Sequence, residues 1–128
     1  MKLWVDDIRP APEGYGKHIV CKSVDAAKQI IQYCEKMESF YKLILENDEC
    51  PNFVREKTEK DLAEITLELI DLDHDAGDFA SDGGDYIRIL DWLEETGRNY
   101  PIRIHSQNPV GVANMRAIIE KNGWTEIK

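Results

Sequence analysis

The chain has 128 residues, the length of a single domain with one buried core, and its 42% apolar content includes no unbroken apolar run long enough to span a bilayer. A net charge of −9 argues against tight, non-specific hold on a nucleic-acid backbone, which needs a basic surface. Asp6, Asp7, Asp71, Asp73, Asp75, Asp78, Asp82 and Asp85 account for all but one unit of that charge, so the acid belongs to two short segments.

In chain order, Lys2-Leu3-Trp4-Val5-Asp6 is an apolar run ending in acid and predicts a buried strand. Acid at Asp6 and Asp7 arrives before a signal-peptide core could form, which predicts no export signal. Arg9-Pro10-Ala11-Pro12-Glu13-Gly14 cannot be helix, because two prolines and a glycine interrupt it. His18–Cys21 reads as a second strand. Ser23 then fits a helix N-cap with Asp25 in the first turn, and Ala27, Ile30, Ile31, Cys34 and Met37 follow at helical spacing. Tyr41 to Leu45 suits either helix or strand. Residues 46–64 read as a charged insertion within a single domain spanning 1–128.

Ile65 to Asp73 predicts a strand rich in apolar and β-branched residues, opening into an acid- and glycine-rich loop. Tyr86, Ile89, Leu90 and Leu93 trace a helical face closed by Gly97. Pro101 to Ser106 is the next strand. Asn108-Pro109 fits an N-cap with proline at the first helical position, and Gly123 ends that helix. Trp124 to Ile127 predicts a short last strand. Such alternation implies an α/β fold with a mostly parallel sheet of about five strands. Cys21, Cys34 and Cys50 are odd in number and lack metal-finger spacing, which predicts free thiols in a reducing cytoplasm.

In parallel sheets, ligands bind beyond the carboxyl ends of the strands. Three predicted strand ends carry polar groups there: Asp6-Asp7, Asp73-His74-Asp75, and His105-Ser106 with Asn108. Carboxylates crowded together raise each other's pKa unless a cation sits between them, and oxygen ligands suit hard divalent ions. Asp6, Asp7, Asp73 and Asp75 are the candidate ligands, with magnesium first and manganese or zinc as alternatives. Ser106, Asn108, the helix start near Pro109 and the forked cation of Arg9 are candidate phosphate contacts. His74 and His105 are candidate proton carriers beside Asp73. Taken singly, each has an ordinary explanation as a turn, a cap or a structural histidine. Their coincidence at one sheet edge favours a site.

Three strings carry a family resemblance: Leu3-Trp4-Val5-Asp6-Asp7-Ile8-Arg9-Pro10-Ala11-Pro12, Leu72-Asp73-His74-Asp75-Ala76-Gly77-Asp78, and His105-Ser106-Gln107-Asn108-Pro109-Val110-Gly111. On these the chain resembles the cyclic-phosphate processing receiver domains, a divergent branch of the response-regulator receiver superfamily. The resemblance implies a three-layer, receiver-like (flavodoxin-like) fold with the first and last helices reduced or missing. It places Asp6 and Asp7 at the metal-binding acidic pair, Asp73 at the phospho-accepting aspartate and Ser106 at the phosphate-contacting hydroxyl. His74, Asp75, His105 and Asn108 have no role in ordinary phosphorelay, and no lysine stands at the end of a fifth strand. The expected function is therefore a metal-dependent phosphoesterase acting on a cyclic phosphate of a nucleotide or RNA end, with Asp73 as ligand or nucleophile. The alternative is a phospho-accepting or pseudo-receiver signalling or binding domain without hydrolytic activity. The expected partner is a phosphorylated small molecule or nucleic-acid end, with neither an extended nucleic-acid surface nor a membrane.

Overall fold

The computed structural model describes residues 1–128. Strands β1 (Lys2–Val5), β2 (His18–Cys21), β3 (Leu69–Leu72) and β4 (Ile102–Ile104) form one sheet in the order β2-β1-β3-β4. Every pairing is parallel. Helices α1 (Val24–Leu45) and α2 (Asn52–Ile65) lie between β2 and β3, α3 (Ile87–Glu95) lies between β3 and β4 after a 3-10 turn at Gly77–Ser81, and α4 (Pro109–Asn122) follows β4. The fold is the receiver-like α/β arrangement the sequence predicts, with four strands rather than five. Trp124 to Ile127 adds no full strand: Glu126 forms only one isolated bridge to Ile102.

Alternation along each strand decides what each face carries. Leu3 and Val5 lie in register with Ile70 and Leu72, which pair in turn with Ile102 and Ile104. This row joins Val24, Ala27 and Ile31 of α1, Ile89, Leu90 and Leu93 of α3, and Met115 and Ile119 of α4 in the main core. Trp4, Asp71 and Arg103 share the opposite face, where an irregular loop, 6–17, folds back through Tyr15. A loop thus covers the surface that the first helix of an ordinary receiver would.

Local chemistry places the helices. Ser23 Oγ accepts the Ala26 N–H at the start of α1, as an N-cap should. Tyr41 to Leu45 is helical: no breaker precedes Asn47, and Arg55 of α2 donates to the Leu45 and Asn47 carbonyls (both 3.0 Å), satisfying groups at the helix end. Residues 46–64 are thus mostly α2, packed along α1. The predicted strand from Ile65 is shorter than expected, because Ile65 still closes α2 and pairing starts at Leu69. Asn108 caps α4 through the Gly111 N–H at 3.0 Å, and Gly123 takes the left-handed conformation that ends it (φ 66°). No helix is long and apolar enough to cross a membrane.

One long-range polar clamp ties α1 to the segment after α3. Arg98 grips both carboxylate oxygens of Glu35 (2.9–3.0 Å), and the Tyr100 hydroxyl donates to Glu35 Oε2 at 2.6 Å. Burial raises the Glu35 pKa, but the Arg98 and Tyr100 hydrogen bonds outweigh it and leave the value lowered. A lowered folded value stabilises the fold above the ordinary glutamate range, and that contribution fades as the pH falls through the folded value. Glu35→Gln is therefore expected to cost about 1–2 kcal/mol at pH 7. In urea unfolding, the gap from the native protein should shrink as the pH is lowered toward about 3.

Candidate functional site

The site follows from register. Val5 pairs with Leu72, and Leu72 with Ile104, so the next residue of each strand, Asp6, Asp73 and His105, meets the others at one rim. Backbone bonds hold them there: Asp73 N–H donates to Val5 O (2.9 Å) and His105 N–H to Leu72 O (3.0 Å). Asp6, Asp7 and Asp73 offer oxygens that all lie within 4.8 Å of one another. The predicted ligand Asp75 stands apart from them. It groups with His74 and Asp85, and its side chain is 60% exposed.

Asp6 is buried, and burial raises its pKa. The Ile8 and Arg9 backbone N–H groups (3.0 and 2.9 Å) and the His105 ring outweigh that, so its pKa ends lowered and the group is ionised. Asp7 goes the other way. Burial raises its pKa, its own backbone N–H opposes that, and the charges of Asp6 and Asp73 push it further up. No cationic side chain pairs with Asp7. Two like charges about 4 Å apart repel by roughly 4 kcal/mol at the effective dielectric of a protein surface. A hard divalent ion is the economical relief, and a donor set of three carboxylates fits one.

His105 sits between two acids. Nδ1 lies 2.7 Å from Asp71 Oδ1 and Nε2 lies 2.9 Å from Asp6 Oδ2. Both ring nitrogens are thus engaged by carboxylates, and neither is left free. Trp4 stacks on it at 3.9 Å, with the planes 3° apart. Asp71, fully buried, also accepts from the Tyr15 hydroxyl (2.6 Å) and Arg103 (3.3 Å). Sequence reasoning missed Asp71, Tyr15, Trp4 and Arg103 as site residues. One signal was present: a charged residue inside the otherwise apolar run Leu69-Ile70-Asp71-Leu72 needs a buried partner.

His74 differs. Its Nδ1 meets Asp75 Oδ1 at 2.9 Å, while Nε2 makes no hydrogen bond within the chain. The ring lies against Gly111, where a methyl group would overlap it, and Gly77 stands in the same relation to the Asp7 carboxylate. Ser106 Oγ accepts the Asn108 N–H at 3.1 Å, and Asn108 Nδ2 lies 3.5 Å from both His74 Nδ1 and Asp75 Oδ2. Arg9 reaches Asp6, Asp73 and the His105 carbonyl. All the predicted residues therefore come to one rim, in two adjoining groups. The cavities of the molecule are lined by other residues.

Asp71→Ala is expected to lower the unfolding free energy by about 3 kcal/mol, because it strands the Tyr15 hydroxyl and the His105 ring without their acceptor. Urea unfolding measures this. A loss below about 1 kcal/mol would mean the network behaves as a surface contact and does not anchor His105.

Comparison with curated proteins and with solved structures returns no match. The family model described as the cyclic-phosphate processing receiver domain matches residues 1–121. That match spans the sheet, the acidic rim and nearly all of α4, and on it the chain belongs to the cyclic-phosphate processing receiver domains.

Proposed function

We propose that this domain is a phosphoesterase that opens or removes a cyclic phosphate on a nucleotide or RNA end, with a divalent ion held by Asp6, Asp7 and Asp73. The observation that carries it is the pairing of that carboxylate group with a histidine, His74, whose Nε2 is uncommitted on the same rim. Magnesium is the first candidate, with manganese or zinc as alternatives, and the bound ion would polarise a phosphoryl oxygen as a Lewis acid.

Opening the ring forms one P–O bond to a water oxygen and breaks one ring P–O bond. The water loses a proton and the departing oxygen gains one. His74 is suited to both transfers: Asp75 accepts from Nδ1, which leaves a lone pair on Nε2 to take the first proton and return it. Asp73 serves as ligand in this scheme. Arg9, Ser106 and Asn108 hold the phosphate through their side chains. The helix start contributes less than expected, since Pro109 has no N–H and the Gly111 N–H is taken by Asn108. His105 positions Asp6 rather than moving protons, because both its nitrogens are engaged. The unpaired Cys21, Cys34 and Cys50 support a reducing, cytoplasmic setting.

The test is turnover of a 2′,3′-cyclic nucleotide by the purified domain with magnesium, manganese or zinc. Hydrolysis is expected, with Asp73→Asn and His74→Ala each lowering the rate by about 10²-fold or more. No turnover with any of the three metals, or an Asp73 variant as active as the native protein, would remove the proposal.

A further inference from the structure

Arg9 already occupies the place of a cation. Its Nε lies 3.3 Å from Asp6 Oδ2, and its Nη2 lies 3.4 Å from Asp73 Oδ2 and 3.2 Å from the His105 carbonyl. Counting acceptor sites on Asp6 shows what this entails. Oδ1 takes the Ile8 and Arg9 backbone N–H groups; Oδ2 faces His105 Nε2 and the Arg9 guanidinium. A carboxylate offers about four lone-pair sites; three accept hydrogen bonds here, and the Arg9 guanidinium, ion-paired at 3.3 Å, covers the approach to the one that remains.

Three of those four partners are fixed. The two backbone donors belong to the turn itself, and His105 is held from behind by Asp71 and flat against Trp4. Only the guanidinium sits on a long stem, 43% exposed. The Arg9 backbone stays put in either case, because its N–H is bound to Asp6 and its carbonyl accepts the Trp4 indole N–H at 2.8 Å. The side chain can therefore turn about a pinned backbone. Asp7, by contrast, has no cation at all, so the guanidinium neutralises the rim only in part.

We infer that Arg9 is a tethered counter-ion that a divalent ion must displace from Asp6 and Asp73, and that the displaced guanidinium then serves as the grip on the substrate's phosphate. One arginine answers two anions in turn. Charge arithmetic favours this order: with a divalent ion among the carboxylates, Arg9 is repelled from them, and its fork matches the oxygens of an incoming phosphate. The inference rests on the metal and phosphate roles proposed above and adds their coupling: metal binding prepares the phosphate site.

Calorimetric titration of the full domain with Mn²⁺, then of the Mn²⁺-loaded domain with inorganic phosphate, tests it. Arg9→Ala and Arg9→Gln should each bind Mn²⁺ about three- to tenfold more tightly than the native protein, since the competing charge is gone. Both should bind phosphate about tenfold more weakly or worse. Two variants guard against an effect of the shortened side chain alone. Unchanged or weaker Mn²⁺ binding in both variants would overturn the inference while leaving the metal site standing. Tighter Mn²⁺ binding with unaltered phosphate affinity would overturn the exchange. Mn²⁺ binding by neither native protein nor variants would instead remove the metal reading itself, and the inference with it.

Discussion

Everything at the rim depends on parallel strand register. Val5, Leu72 and Ile104 stand side by side in the sheet, so Asp6, Asp73 and His105 have no freedom to be elsewhere. The apolar row beneath them sets that register: a one-residue slip would turn Leu3, Val5, Ile70 and Leu72 away from α1, α3 and α4. The electrostatic strain of three neighbouring carboxylates is thus held in place by hydrophobic burial. Gathering them is costly, and the cost falls mostly on Asp7, which alone lacks a positive partner.

The second organising feature is the treatment of the sheet's other face. A helix there would bring an apolar stripe. The loop at 6–17 brings Tyr15, and the face answers with Trp4, Asp71, Arg103 and the His105 ring. A fully buried carboxylate survives because three side chains reach it. This polar layer holds the His105 ring between Asp71 and Asp6, and through it Asp6 keeps a fixed orientation.

Much of this was legible in the chain. Ser23, Asn108 and Gly123 announce helix ends by capping chemistry that needs no tertiary information. Alternating strands and helices announce a parallel sheet, and with it a common edge for Asp6, Asp73 and His105. The illegible parts share a cause: they depend on partners distant in sequence. Tyr41 to Leu45 is helical because Arg55 and α2 complete its end. His74 and His105 look alike as isolated letters, yet one has a free nitrogen and the other has none, which only their neighbours decide. Asp75 follows Asp73 by two positions, so spacing suggested a shared ion. The turn after β3 carries it instead to His74 and Asp85.

The loop at 6–17 makes few backbone bonds of its own and is moored by side chains. Lys2 donates to the Tyr15 carbonyl, Trp4 to the Arg9 carbonyl, and Tyr15 to Asp71. Each mooring point is also a site residue or the neighbour of one. Local opening of this segment would therefore free the Arg9 side chain from Asp6 and Asp73 and withdraw Tyr15 from Asp71 together, making the loop and the rim's polar contacts a single cooperative unit in the hierarchy of native-state fluctuations. A cut in this loop would then disarm the rim while leaving the main core, on the sheet's far side, intact.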